Sequence, residues 1–474
     1  MTLPAVRRSP WWLTALDALC VVLLALLLRS LLSDRYRISL TPEFRLSLSS
    51  SWRLSMWLAA LLVVRHVAWR TVPWHLRVFG WIRSVWTSEP LRAAWRPFVA
   101  SRLTVLIVAY VAVYTIGFTG RQPFRALSND WLDLYARWDA GWYFGIASVG
   151  YPTQFDPAGR SALAFFPGLP LVMRGAGVLL DINLWVAGIL VVTCAFLWAL
   201  TYAYRLALQD VPPDQARASV LLLAWYPFAV CYSAVLTESL FLLAAAGAFY
   251  HFRRSELWKA GLFGLLAGLL RPNGCLLSIP LALAALIPFA KNRGWIPGGR
   301  TPGEMRWPTL VAQLAAASVP GIGMLAYAAY VYSLTGNPFA WVEAQQAWGR
   351  ATAGGLAVLD ARLALIETQG LSTYLRSYTI EIIEAVTALF ALGATWPIVR
   401  RFGLPYGVFV ALSVLPPLIS MGSVSLGRYT APLFPIFLWL GAAIPAERRP
   451  YWVAVFAAGQ ALVATLFFTW RAPY

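Results

Sequence analysis

Residues 11–32 read WWLTALDALCVVLLALLLRSLL. As a helix rising about 1.5 Å per residue, a run of this length crosses a bilayer core of about 30 Å. Its only charges are Asp17 and Arg29. Arg7 and Arg8 precede it and no small-residue cleavage site follows, so it reads as a retained helix rather than a signal peptide. Comparable runs recur at 54–69, 103–120, 182–206, 217–231, 234–252, 257–270, 273–290, 309–333, 378–399, 404–421, 428–446 and 450–470. Segment 163–180 is interrupted by Pro167 and Pro170 and reads as an interfacial or re-entrant piece. The expected fold is therefore all-α: a polytopic integral membrane protein with about 11–13 transmembrane helices.

Composition agrees. Of 474 residues, 59% are hydrophobic and 12% charged, where a soluble domain carries about a quarter charged. That excludes a water-soluble enzyme, a disulfide scaffold and a disordered chain. The net charge of +18 would suit nucleic acid in a soluble protein. In a membrane protein, cytoplasmic loops collect Arg and Lys, so no nucleic-acid partner is expected. The stretch Arg65–Arg102 holds seven Arg, one acid (Glu89) and several Trp (Trp69, Trp74, Trp81, Trp86, Trp95). It suits either an amphipathic segment on an anionic leaflet or an ordinary cytoplasmic connection. Loop 121–162, with balanced charge, falls on the outer side by contrast. Threaded this way, 22 of the 38 basic residues lie inside and 14 outside, while Arg29 and Arg174 are ambiguous and loop 34–53 places four Arg outside. Outer loops are expected at about 121–162 and 333–377.

Cys20, Cys194, Cys231 and Cys275 lie in or beside apolar runs without metal spacing, and His66, His75 and His251 form no cluster. Neither a metal nor a cofactor is expected. The unusual polar residues gather on the outer side. The densest block is Arg137-Trp138-Asp139-Ala140-Gly141-Trp142-Tyr143, then Gly150-Tyr151-Pro152 and Phe165-Phe166-Pro167-Gly168-Leu169-Pro170. Such a block is either a site for a lipid-borne polar group or an interfacial aromatic belt with a solvated ion pair. Glu238 sits about one turn into a span, Arg271-Pro272-Asn273-Gly274 breaks a hairpin, and Arg428 opens another span. A charge at membrane depth persists only when paired or facing a polar cavity. A structural Glu238–Arg271 pair is the plainer explanation for two of them.

In this order the blocks resemble the PIG-V family of mannosyltransferases, which act second in GPI-anchor synthesis and have bacterial relatives. Further matching blocks are Pro227 through Tyr232 to Glu238-Ser239-Leu240-Phe241, Asn337-Pro338-Phe339 to Gln345 with Trp348-Gly349-Arg350, and Gly427-Arg428-Tyr429 followed by Phe434-Pro435. The resemblance covers about residues 97–446 and implies two parts: residues 1–96, an N-terminal extension with two hydrophobic segments and the basic, Trp-rich stretch, and residues 97–474, a GT-C-like transmembrane glycosyltransferase domain. It departs at Trp142, where the family pattern has His. It implies a GT-C type, inverting glycosyltransferase of a bacterial inner membrane, with its site on the outer face. The donor would be a polyprenyl-phosphate sugar, the acceptor a glycolipid, polysaccharide or protein, and the surroundings membrane lipids. Asp139 would be the general base. Arg137, Arg271, Arg350 and Arg428 would hold the donor phosphate. Trp138, Tyr143, Phe166, Glu238, Asn273, Gln345, Trp348 and Tyr429 would contact substrate. Loop 333–377 is expected to be partly helical and to cap the cavity with Gln345, Trp348 and Arg350 facing inward. A polytopic transporter or lipid flippase is the competing class, because broken helices and intramembrane charges also mark transporters. A structural partner within a larger complex is the third.

Overall fold

The computed structural model describes residues 10–32, 37–39, 45–47, 51–69, 72–118, 124–153, 159–297, 306–347, 355–421 and 425–471. Two compact units are present: residues 1–92 with 175–182, and residues 93–174 with 183–474.

In the first unit, α1 (Trp11–Leu32) and α2 (Ser51–Ala68) pack together. A short antiparallel pair, β1 (Arg37–Ser39) and β2 (Arg45–Ser47), lies between them in sequence. Asp17 is matched by two guanidinium groups, Arg65 Nε at 2.9 Å and Arg77 Nε at 3.0 Å, which is how a carboxylate survives in an apolar run. The basic, Trp-rich stretch forms α3 (Trp74–Trp86), in which no residue is buried and Phe79 and Trp81 stand exposed.

In the second unit the span expected at 103–120 begins earlier. Helix α4 (Glu89–Thr115) takes in Arg92, Arg96 and Arg102, so Arg102 is no cytoplasmic loop residue. Then follow α5 (Asp130–Asp133), α6 (Ala140–Val149), a 3-10 turn at Ala162–Ala164, α7 (Gly168–Leu180), α8 (Leu184–Ala207), α9 (Pro213–Trp225), a second 3-10 stretch at Pro227–Ser233, α10 (Glu238–Arg253) and α11 (Leu257–Leu270). A third 3-10 stretch, Pro272–Leu277, leads into α12 (Ser278–Asn292) and α13 (Trp307–Thr335). Loop 333–377 carries three helices, α14 (Ala340–Gln346), α15 (Gly355–Gln369) and α16 (Leu371–Ser377). The chain closes with α17 (Thr379–Phe402), α18 (Leu404–Met421), α19 (Leu426–Thr430), α20 (Phe434–Ala443) and α21 (Arg449–Phe468).

Six described helices are long and apolar enough to cross a membrane, and a seventh span results if Pro227–Ser233 and Glu238–Arg253 count as one. Five shorter apolar helices accompany them. The expected set of about 11–13 transmembrane helices thus consists of long spans mixed with short and broken ones. The expected run 428–446, for instance, breaks between α19 and α20.

The break within the expected run 217–231 has a local cause. Pro227 lacks an N–H and disfavours helical backbone at Tyr226, which is extended at φ −55°, ψ 138°. The chain then bends by 104° before α10. Carbonyls freed there find side-chain donors: Arg102 Nη1 reaches Ala229 O at 2.7 Å, and Gln460 Nε2 reaches Tyr226 O at 2.9 Å. Buried backbone oxygens left without partners would each cost about 1–3 kcal/mol. Elsewhere glycine allows backbones to meet. A Cβ on Gly268 would run into the Pro320 carbonyl of α13, and one on Gly274 into the Ala267 carbonyl of α11.

Chain direction sorts the charges of this unit. Helices α10 and α11 form a hairpin whose turn carries Arg253, Arg254, Glu256 and Lys259. Trp307, at the start of α13, packs on Phe289 and Arg293 at the end of α12. Arg401 at the end of α17 reaches Gln215, and Arg449 at the start of α21 meets Asp214. These basic residues thus mark one set of helix ends. Glu238, Arg271 and the end of α21 mark the opposite set.

Candidate active site

The Arg137–Tyr143 block folds as a tight turn into α6. Trp138 adopts left-handed backbone, φ 55°, which costs an L-residue about 1–2 kcal/mol. Its indole donates to Phe467 O at 2.9 Å. On either side of this turn the two charged residues part company. Arg137 is buried and donates to Asp133 O at 2.7 Å, to Ala136 O, to Phe468 O and to the Asp133 carboxylate at 3.2 Å. Through Nε and Nη1 it thus ties α5 to the end of α21.

Asp139 instead faces Arg428, whose Nη1 lies 2.9 Å from Asp139 Oδ2. The same guanidinium donates through Nε to Glu238 Oε1 at 2.9 Å. Glu238 Oε1 also accepts from Arg271 Nη2, and Arg271 Nε donates to Thr237 Oγ1 at 2.7 Å. Four residues from α6, α10, the α11 end and α19 thus form one ladder: Asp139, Arg428, Glu238, Arg271. Its two carboxylates and two guanidiniums balance. Side-chain exposure falls along it from 26% at Asp139 through 9% at Arg428 to 0% at Glu238, and is 8% at Arg271, so Asp139 is the end a solute can reach. Glu238 opens α10, where the helix dipole favours an anion.

The ladder is incompletely satisfied. Glu238 Oε2, Ser239 Oγ, Arg271 Nη1, Asn273 Oδ1 and Tyr232 OH are buried without a hydrogen-bond partner. Native proteins pair nearly all such atoms, so a concentration of orphans around one charge cluster marks a place built to receive polar atoms. The Tyr143 hydroxyl is buried beside the ladder. Burial, followed by the charges of Asp139 and Glu238, pushes its pKa well above the ordinary value, so it stays an O–H donor. Tyr429 lies under Arg271, 5.2 Å from guanidinium to ring centre.

The remaining expected residues support the walls. Segment Leu163–Phe165 is held by Tyr327 OH on Leu163 O at 2.8 Å, Gln345 Nε2 on Ala164 O at 2.7 Å and Tyr151 OH on Phe165 O at 2.7 Å. Gln345 is buried and its amide holds backbone. Phe166 is core, packed on Tyr327 and Trp341. Trp142 stacks on Phe165 at 5.5 Å. Trp348 and Arg350 lie outside the described residues. Among the described residues no three His, Cys, Asp or Glu side chains stand together as a metal would require.

Sequence reasoning missed Glu384. It is fully buried in α17, and its Oε2 accepts from Ser425 N at 2.8 Å. Ser425 is left-handed at φ 63°, and its carbonyl accepts from Arg428 N at 3.1 Å. Glu384 thus fixes the turn that presents Arg428. An acid in the middle of an apolar run was the available signal.

The fold and this site define a polytopic helical membrane protein with a buried, partly unsatisfied ion ladder at one set of helix ends. No family model and no curated protein matches the chain. Among solved structures it is similar to the archaeal oligosaccharyltransferase AglB from Archaeoglobus fulgidus in complex with an inhibitory peptide and a dolichol-phosphate, at 12% identity and a TM-score of 0.39, covering 80% of this chain and 56% of that one. The apo form of the Archaeoglobus fulgidus oligosaccharyltransferase matches at 14% identity and a TM-score of 0.40, covering 79% and 56%. The chain spans a little over half the length of these solved chains.

Proposed function

We propose that the chain is an inverting membrane glycosyltransferase that moves a sugar from a polyprenyl-phosphate carrier to an acceptor hydroxyl. The observation that carries this reading is the ladder: a reachable carboxylate, Asp139, hydrogen-bonded to a guanidinium, Arg428, backed by a second guanidinium, Arg271, with unpaired donors and acceptors around both. The ordered PIG-V-like blocks add mannose as the sugar and Arg350 as a further phosphate contact.

The acceptor oxygen attacks the anomeric carbon, and its proton passes to Asp139. The new C–O bond forms as the bond from the anomeric carbon to phosphate oxygen breaks, and that oxygen keeps the electron pair. Arg428 and Arg271 stabilise the charge on the leaving polyprenyl phosphate. A monophosphate leaving group carries less charge than a diphosphate, and two guanidiniums answer it. As the phosphate arrives, Arg428 turns part of its bonding from Asp139 to the donor, which frees the carboxylate to act as base. The basic helix ends opposite the ladder support a cytoplasmic side by the positive-inside rule and, with it, an outward-facing site; the bacterial inner membrane follows from the PIG-V-like resemblance.

Membranes containing the protein, supplied with labelled polyprenyl-phosphate-mannose, should yield a labelled acceptor product that Asp139→Asn membranes do not. The bent pair Pro227–Ser233 and Glu238–Arg253 favours a second reading, a transporter or flippase, since discontinuous helices line transport sites. Labelled donor that crosses the bilayer with its sugar still on the phosphate would select that reading.

A further inference from the structure

A cavity of about 310 Å³ lies between α6, α7, α11 and α13, lined only by residues of the second unit. Its body is apolar and includes Ile146, Ala147, Leu171 and Leu269. The lining holds one charge, Arg174, and no acid. Three tyrosines complete it. Tyr151 and Tyr327 commit their hydroxyls to Phe165 O and Leu163 O. Among the described residues, neither the Arg174 guanidinium nor the Tyr330 hydroxyl has a hydrogen-bond or ion-pair partner.

Leu171, Arg174 and Tyr330 are exposed, so the cavity reaches the surface. That surface is apolar. On α13, which is long and apolar enough to cross a membrane, Ile322, Ala326 and Tyr330 recur at four-residue spacing, and Ile322 is exposed. Lipid covers such a face, and a charge there persists only when paired. Arg102, Arg271 and Arg428 find carbonyls, hydroxyls or carboxylates of the protein. Arg174 does not. Gly168 opens α7 against the Leu269 carbonyl, at the ladder end of α11. Arg174 follows about 9 Å further along α7, and Tyr330 precedes the end of α13 at Thr335 by about 8 Å. Both donors thus stand at one depth below the same set of helix ends, and a tyrosine at that depth suits the headgroup level of a bilayer.

We propose that this groove holds an anionic phospholipid of the surrounding bilayer. Its phosphate accepts from Arg174 and Tyr330, and the first part of one acyl chain fills the apolar body. The volume is at the small end of ligand pockets, about 300–1,000 Å³, which suits part of a chain rather than a whole lipid. A zwitterionic headgroup would bring an ammonium beside Arg174 with no acid in the lining to receive it. Asp139, Glu238, Arg271 and Arg428 do not line the groove, so the proposal is independent of the reaction assigned to the ladder.

The test is thermal unfolding and native mass spectrometry of the full-length protein in detergent, with added dioleoylphosphatidylglycerol, dioleoylphosphatidylcholine or polyprenyl phosphate. A lipid that binds the folded state raises the melting temperature. Phosphatidylglycerol should raise it more than phosphatidylcholine and stay bound at about tenfold lower concentration. Arg174→Gln removes a charge-assisted hydrogen bond and should weaken phosphatidylglycerol about tenfold or more, which cancels that advantage. Tyr330→Phe should weaken it less. Without added lipid both variants should melt as the wild type does, because neither group has a protein partner to lose. Equal shifts by the two phospholipids on the wild type, an advantage for phosphatidylglycerol that survives Arg174→Gln, or an Arg174-dependent shift larger with polyprenyl phosphate than with phosphatidylglycerol overturns the proposal. A lipid-free melting temperature lowered by Arg174→Gln would do so too, since it would assign the guanidinium a structural partner.

Discussion

The two sets of helix ends in the second unit both carry linked charges, and the links differ in kind. At the α10–α11 turn, Glu256 is met by Lys259 at 2.8 Å, Arg254 at 3.1 Å and His251 at 2.7 Å, with side chains 27%, 39% and 52% exposed for Glu256, Lys259 and Arg254. Water can replace the Lys259 and Arg254 partners, while His251 is buried. At the other ends, Glu238 is wholly buried and its ladder leaves several polar atoms unpaired. Exposed pairs contribute about 0–1 kcal/mol each. A buried pair is costly to assemble and, at 25 °C, often no more stable than apolar packing. A buried, under-satisfied cluster is therefore retained for something other than stability, whereas the exposed cluster needs only solvation and topology to explain it.

This contrast can be broken by experiment, in falling order of effect on turnover. Asp139→Asn should lower sugar transfer by about 10²–10⁴-fold, the typical contribution of a general base, with yield and melting temperature unchanged. Near-normal turnover in the folded variant would move the base to Glu238. Arg428→Lys keeps the charge but cannot bridge both carboxylates. Loss of one charge-assisted hydrogen bond, about 1.5–3 kcal/mol, should raise the KM for donor by about 10–150-fold. An unchanged donor KM would remove Arg428 from the phosphate site.

Glu384→Ala should release the Ser425 turn and raise donor KM in the same direction as Arg428→Lys but less. Glu384→Gln keeps an acceptor for Ser425 N–H and should restore the wild-type value. If Gln fails as badly as Ala, the carboxylate charge matters rather than the turn. Arg137→Ala should leave kcat and KM of the folded fraction near normal while lowering stability, by about 3–5 kcal/mol for a broken buried pair. A selective loss of kcat with full stability would return Arg137 to the chemistry.

The smallest effect is expected at the opposite ends. Glu256→Gln should change stability by about 0–1 kcal/mol and turnover not at all. The Lys259 hydrogen bond, with those of His251 and Arg254, holds the Glu256 carboxyl at about 2, against an ordinary 4.5. A depressed carboxylate contributes above its unfolded pKa and loses that contribution as pH falls through the folded one. The melting difference between wild type and Glu256→Gln should therefore be constant above pH 4.5 and vanish as pH approaches 2. A difference that grows on acidification would contradict the assignment.

The two ends were not equally legible in the sequence. Hydrophobic runs gave the helical membrane class, and basic residues clustered at run ends in the sequence also share one set of helix ends in the fold. Glu238, Arg271 and Arg428 stood out because charges interrupt apolar segments. The pairing did not stand out. Arg137 and Asp139 are neighbours in sequence and read as one ion pair, yet the left-handed turn at Trp138 sends them to different partners, Asp133 and Arg428. Span lengths were misread where proline broke a run, as at Pro227, because hydropathy averages over a break that one missing N–H produces.

By itself, then, the sequence determined the solvent this chain lives in, the set of charges that must find partners there, and the end of the bundle where most of them sit. Those are properties of composition and order, and they hold whatever the packing. Only the tertiary structure decided which charge meets which. Asp139 and Arg428 are 289 positions apart, and Glu384 reaches Ser425 through a backbone hydrogen bond that no side-chain pattern encodes. A partner in a low-dielectric interior is selected by distance and direction over a few ångströms, and the chain acquires those distances only when the helices are packed.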